Sequence, residues 1–162
     1  MEQNDKEMKV IRYTPENQKH FERLNKAWLN KFFEVEPLDE TLLSQPEEFI
    51  LRKGGYIFFV EHEGQIIGTV ALIFIKQGVY ELAKMAVDEA FQGLGAGKFL
   101  CSSAIEEAKK LNAEKLILFT NSKLQTAISI YHKLGFKDVL LDDQQFKRAN
   151  VKMELALKTV KE

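Results

Sequence analysis

Apolar and polar residues alternate from Met8 to Tyr13, and from Phe21 onward the apolar positions recur at helical spacing, at Leu24, Trp28 and Phe32. The switch predicts a short strand followed by a helix with one apolar stripe. Thr14-Pro15 fits the start of that helix, as an N-cap residue followed by proline in the first turn. Beyond a break at residues 34–37, a second helix is predicted over 39–52, with Gly54-Gly55 to stop it.

Three strand-like runs follow closely, at 56–61, 66–75 and 80–87. Glu63-Gly64 and Gln77-Gly78 allow only tight turns between them, so these runs are antiparallel neighbours. The middle run is apolar almost throughout, which implies helices on both faces of the sheet. Leu100, Ala104, Ala108 and Leu111 predict a helix over 99–111, and a fifth strand follows over 115–120. A helix-length crossover makes strands four and five a parallel pair. Ser122, with Gln125 three residues later, reads as a capping box for a further helix that Gly135 ends. A strand over 136–141, a polar hairpin loop at 142–145 and a closing strand within 146–157 complete the pattern.

Composition narrows the class. A chain of 162 residues with 45% hydrophobic and 29% charged residues suits one globular domain over residues 1–162. With a net charge of −1, nothing suggests the basic face that nucleic acid would need. No apolar run reaches a membrane span, and the polar start Met1 to Lys9 resembles no secretory signal. The single Cys101 fits a reducing compartment, as a buried inert thiol, so the expected location is cytoplasmic.

The chemistry is concentrated in Gln92-Gly93-Leu94-Gly95-Ala96-Gly97, followed by Lys98, between the fourth strand and the next helix. Glycines opening a helix leave N–H groups bare at the positive end of the helix dipole, an arrangement suited to phosphate. A dinucleotide fingerprint needs a third glycine where Lys98 or Leu100 stands. A Walker A loop needs glycine at Gln92 and a hydroxyl residue at Phe99. Both patterns fail, and a hydride-transferring nucleotide enzyme falls with them. Positive charge near this loop would come from Lys84, Lys98 and Lys123.

The remaining pattern, Q-x-x-G-x-G, resembles the acyl-CoA loop of the GNAT superfamily of N-acetyltransferases. Three further stretches are similar to that family in order and spacing. These are Glu81-Leu82-Ala83-Lys84-Met85-Ala86-Val87, Ala127-Ile128-x-x-Tyr131-x-x-x-Gly135-Phe136, and Arg148-Ala149-Asn150-Val151-x-Met153. The resemblance implies an α/β (mixed α+β) GNAT acyltransferase fold. Its mixed, mostly antiparallel sheet has about seven strands with four helices, splayed between strands four and five. It implies acetyl-CoA as acyl donor, no metal, and an acetyl-CoA-dependent N-acyltransferase acting on a small-molecule amine. A protein or peptide amine, or a non-catalytic acyl-CoA-binding module, are the alternatives. The oligomeric state is open, a homodimer being one option.

Residue by residue, the resemblance places cofactor contacts at Met85, Ala86 and Val87, at Gln92 to Lys98, and at Tyr131. Many members carry asparagine where this chain has Leu124, and Asn121, three residues earlier, is the candidate substitute. Amine attack demands loss of a proton from a group of pKa about 10. Glu81 is the candidate base, with His62 and His132 as other titratable groups expected at the surface. No protein base is needed if the amine binds neutral. Tyr131 is the candidate hydrogen-bond donor to the departing thiolate, or otherwise a core tyrosine. Trp28, Phe32 and Phe33 are candidates for an apolar acceptor pocket, and Glu36 or Asp39 could pair with an ammonium group.

Overall fold

The computed structural model describes residues 7–142 and 146–157. The polar start up to Lys6 and most of the loop predicted at 142–145 lie outside the described residues. Seven strands are present: β1 (Met8–Arg12), β2 (Tyr56–His62), β3 (Gln65–Lys76), β4 (Val79–Val87), β5 (Lys115–Thr120), β6 (Lys137–Val139) and β7 (Val151–Ala156). They form one sheet in the order β1-β2-β3-β4-β5-β7-β6, with β4 and β5 its parallel pair. Four α-helices accompany them: α1 (Gln18–Phe32), α2 (Pro37–Ser44), α3 (Ala96–Lys110) and α4 (Gln125–Lys133).

Alternation along β2 shows how the sheet separates two cores. Ile57 and Phe59 pack with Phe21, Leu29, Leu43 and Ile50 under the first two helices. Phe58 and Val60 point the other way, into a cluster with Leu100, Ala104 and Ala108 of α3. Each such side chain, once fully buried, stabilises the fold by about 1.5–3 kcal/mol. Gly68 in β3 permits the close approach of α3, since a Cβ there would lie 2.9 Å from Leu100 Cδ1. The helices on both faces explain why β3 is apolar along most of its length.

Among the boundaries that differ from expectation, three have a clear local reason. The second helix does not run to residue 52: α2 ends at Ser44, and one π-helical turn (Glu47–Leu51) follows Pro46. Proline has no N–H to continue the ladder and its ring crowds the preceding turn. Ser122 does not cap α4, which begins at Gln125 after Leu124. Its N–H donates to Asn150 Oδ1 (2.9 Å) and its hydroxyl accepts from Asn150 Nδ2 (3.3 Å), so Ser122 is tied to the start of β7 instead. Finally, α3 starts at Ala96, inside the glycine loop.

Candidate active site

The sheet opens along the β4–β5 line. These strands pair only at Val79↔Lys115, Tyr80↔Leu116 and Glu81↔Ile117, then part. A bulge accompanies the parting. Ala83 pairs with Ala71 and Ala86 with Thr69, so Lys84 and Met85 together face one residue of β3. Lys84 takes the left-handed conformation, φ 57°, a strained state for a long side chain. Such a bulge bends its strand and sharpens its twist. Beyond it, Asp88 N–H donates to Ile67 O at 2.7 Å. With Val87 opposite Gly68 and the Asp88 N–H bonded to Ile67 O, alternation turns the N–H and C=O groups of Val87 to the open seam and those of Ala86 to β3.

At the seam's upper end, Gly93 and Gly95 have φ of 93° and 81°, and Gly95 precedes α3 with no side-chain cap. The first helical bond there runs from Phe99 N–H to Gly95 O, and no N–H from Gly93 to Lys98 donates to a backbone carbonyl of the described residues. A Cβ placed at Gly93, Gly95 or Gly97 would meet nothing within 4 Å. The result is an open cradle of amides at a helix N-terminus, the chemistry that a diphosphate needs. Lys98 is exposed in the first turn of α3.

A cavity of about 160 Å³ lies between the diverging strands and α1. Tyr131 and Glu81 both line it. Tyr131 is 9% exposed and packs edge-on against Phe136, ring centroids 5.8 Å apart. Its hydroxyl has no hydrogen-bond partner among the described residues, nor is it sealed from solvent. Burial raises its pKa well above the ordinary phenol value, so it is present as a donor. Glu81 stands at the last position of β4 that pairs with β5. Burial pushes its pKa up to about 7, with the Lys84 charge pulling the other way. A carboxylate so placed can accept a proton near neutral pH.

Across the cavity lies a group of charges from three distant segments. Asp39, fully buried, accepts from Lys84 Nζ (2.8 Å), from Arg148 Nη1 and Nη2 (2.8 Å each) and from Glu36 N–H (2.9 Å). Burial alone would raise its pKa, but the bonds from Arg148 and the charge of Lys84 prevail and hold it below the usual carboxylate value. Burial lowers the pKa of Lys84, against the pull of Asp39. The Phe146 ring underlies both cations, 4.4 Å from Lys84 Nζ and 4.3 Å from the Arg148 guanidinium carbon.

Several expected residues sit elsewhere. Trp28 and Phe33 line the cavity, whereas Phe32 and Glu36 are outside its lining. Phe32 packs tilted against Trp28, ring centroids 5.4 Å apart, and Glu36 accepts from Arg148 Nη1 at 3.3 Å. Asn121 does reach the cavity wall, with its carboxamide engaged by Arg148 O (2.7 Å) and Lys123 N–H (2.9 Å). Lys84 and Lys123 do not flank the glycine loop. The bulge turns Lys84 towards α2, and Lys123 Nζ donates to Phe32 O over the Phe33 ring. His62 is buried rather than at the surface, with Nδ1 3.0 Å from Glu7 O, and it lies outside the cavity lining. His132 is exposed beside Asp138. Cys101 is fully buried, its pKa pushed up to about 12 by that burial. Arg148 was missed as a site residue, although it stands within the last motif quoted above.

A sequence model described as Acetyltransferase (GNAT) family matches residues 21–136. The chain belongs to the GNAT family. It is an acetyl-CoA-dependent acyltransferase, and the amide cradle and unpaired β4 edge fit that donor. The uncharacterized N-acetyltransferase YvbK of Bacillus subtilis (strain 168) is 31% identical over 115 residues, covering 68% of this chain and 73% of its own. An acetyltransferase of GNAT family from Staphylococcus aureus Mu50 superposes with TM-score 0.84 at 22% identity, over 94% of this chain and all of its own. Spermidine N-acetyltransferase from Vibrio cholerae, in complex with CoA and spermine, gives TM-score 0.72 at 19% identity, over 92% and 95%. Among the described residues, no helix is long and apolar enough to cross a membrane, and no group of three or more His, Cys, Asp or Glu is placed to hold a metal.

Proposed function

We propose that this GNAT enzyme acetylates a primary amine of a small molecule by direct attack of the amine on the donor. Acetyl-CoA, when bound, supplies the acyl group as an activated thioester. The amides of Gly93 to Lys98 hold its diphosphate, and the open-edge groups of Met85 and Val87 hold its pantetheine arm as a neighbouring strand would. A seam N–H of these residues stabilises the developing oxyanion. Glu81 takes the proton that the amine must lose, directly or through one water. Tyr131 donates a hydrogen bond to the departing sulfur.

The observation that carries this reading is the meeting of Glu81 and Tyr131 in one cavity beside an unpaired strand edge. The cavity's modest size and its Trp28 and Phe33 walls suit a compact acceptor. The spermine found with the Vibrio cholerae neighbour supports a small amine rather than a protein. Free thiol release from acetyl-CoA, followed with a panel of small amines and peptides, tests it. Turnover with small amines is expected, whereas turnover with peptides alone, or donor binding without any turnover, contradicts it. Tyr131→Phe should lower kcat roughly 10–100-fold, the worth of a hydrogen bond to a charged group, with the acetyl-CoA KM little changed. Unchanged turnover where chemistry limits the rate would remove Tyr131 from the mechanism.

A further inference from the structure

We infer that the acceptor carries a carboxylate close to its amine, and that Lys84 and Arg148 recognise it. The inference deepens the acetyltransferase reading and rests on it. The acceptor end of the cavity presents two cations, Lys84 and Arg148, in its lining. The carboxylates that pair with them, Asp39 and Glu36, lie behind and are absent from that lining. Among the described residues, the one acidic side chain lining the cavity is Glu81, where the amine is to be deprotonated. An acceptor therefore meets a base at one point and fixed positive charge at another.

Donor capacity remains for such a ligand. Lysine has three N–H donors and arginine five. Among the described residues Lys84 makes one hydrogen bond through them, to Asp39, and Arg148 makes three, to Asp39 and Glu36. Two donors remain on each. The bidentate Asp39 contact fixes the Arg148 plane, and the Phe146 ring supports both cations from one side, so their placement precedes ligand binding.

The backbone bulge makes this arrangement. Glu81 and Lys84 are three residues apart, and in a regular strand they would face opposite sides of the sheet. The left-handed turn at Lys84 re-aims its side chain, so both line the same cavity. A proton acceptor and a cation are thereby presented together to a molecule bearing an amine and a carboxylate. A polyamine would set its second ammonium against Lys84 and Arg148, at a like-charge cost.

Trp28 is the sole tryptophan of the chain and lines the cavity, so its fluorescence reports acceptor binding without turnover. With CoA present, the probes are the twenty amino acids, each paired with its decarboxylated amine, together with spermidine. Some carboxylate-bearing member should quench Trp28 at a Kd at least about tenfold below that of its partner, the scale of one charge-assisted hydrogen bond. Lys84→Gln keeps the Asp39–Arg148 pair and should shrink that ratio severalfold, with CoA affinity unchanged. Tightest binding by an amine without a carboxylate, or quenching by no member, overturns the inference. Should the carboxylated amines bind selectively yet release no thiol from acetyl-CoA, the acetyltransferase mechanism fails while carboxylate recognition stands.

Discussion

The proposed donor site is built from backbone, namely the amides of Gly93 to Lys98 and the β4 edge beyond Glu81, where pairing with β5 ends. The proposed acceptor site is built from side chains that line the cavity: Trp28 from α1, Lys84 from the bulge, and Phe146 and Arg148 ahead of β7. A backbone site depends on chain direction and on the absence of side chains, so the identity of the ligand is written in glycines. A side-chain site depends on which residues the fold brings together, and here Arg148 meets Asp39 across 109 positions of sequence. One end suits a common donor, and the other can change its acceptor without disturbing the first.

The sharpest break between the two ends is Gly97→Glu. A Cβ at Gly97 meets nothing within 4 Å, and an acidic residue is welcome in the first turn of a helix, so the protein should fold normally. The carboxylate would nevertheless face the diphosphate, and acetyl-CoA affinity should fall at least about 100-fold. Calorimetric titration beside a thermal melt checks both halves. Affinity within a factor of two of the parent would place the donor elsewhere.

Asp39→Ala strikes the other end and should act on stability. It leaves Lys84 and Arg148 buried without their shared partner, a loss of about 3–5 kcal/mol for a broken buried ion pair. Because the folded-state pKa of Asp39 is lowered, its contribution is present above the unfolded carboxylate value and is lost as pH falls through the folded one. Parent and variant should therefore converge in denaturant midpoint towards low pH. A gap that stays constant with pH would show that packing rather than charge makes the difference.

The smallest effect concerns the point where the ends meet. Burial raises the Glu81 pKa to about 7, so the basic form accumulates as pH rises through that value. The kcat/KM should climb about tenfold per pH unit below 7 and level off above it. Glu81→Gln should abolish that limb. An unchanged limb in the variant would mean that the amine, not Glu81, titrates there.

The same division governs how much could be read from the residues alone. Strand runs with period two and the spacing of Phe21, Leu24 and Trp28 announced the layers, and the glycines announced the cradle. Pro46 stands inside the helix predicted over 39–52, and it is a residue that cannot continue a helix, which is why α2 stops short. Lys84 was not legible, because nothing in a lysine's chemistry signals a left-handed backbone. Its charge was therefore assigned to the phosphates, when the bulge delivers it to Asp39. Arg148 falls in a motif that marks only the last strand, and its partners Asp39 and Glu36 come from the other end of the chain.

A crystal structure with acetyl-CoA tests the central claim most directly. The diphosphate should accept hydrogen bonds from the amides between Gly93 and Lys98, and the thioester should lie between β4 and β5, within reach of the Tyr131 hydroxyl. A diphosphate bound away from those amides, or a β4–β5 seam closed by protein groups in the complex, would contradict it.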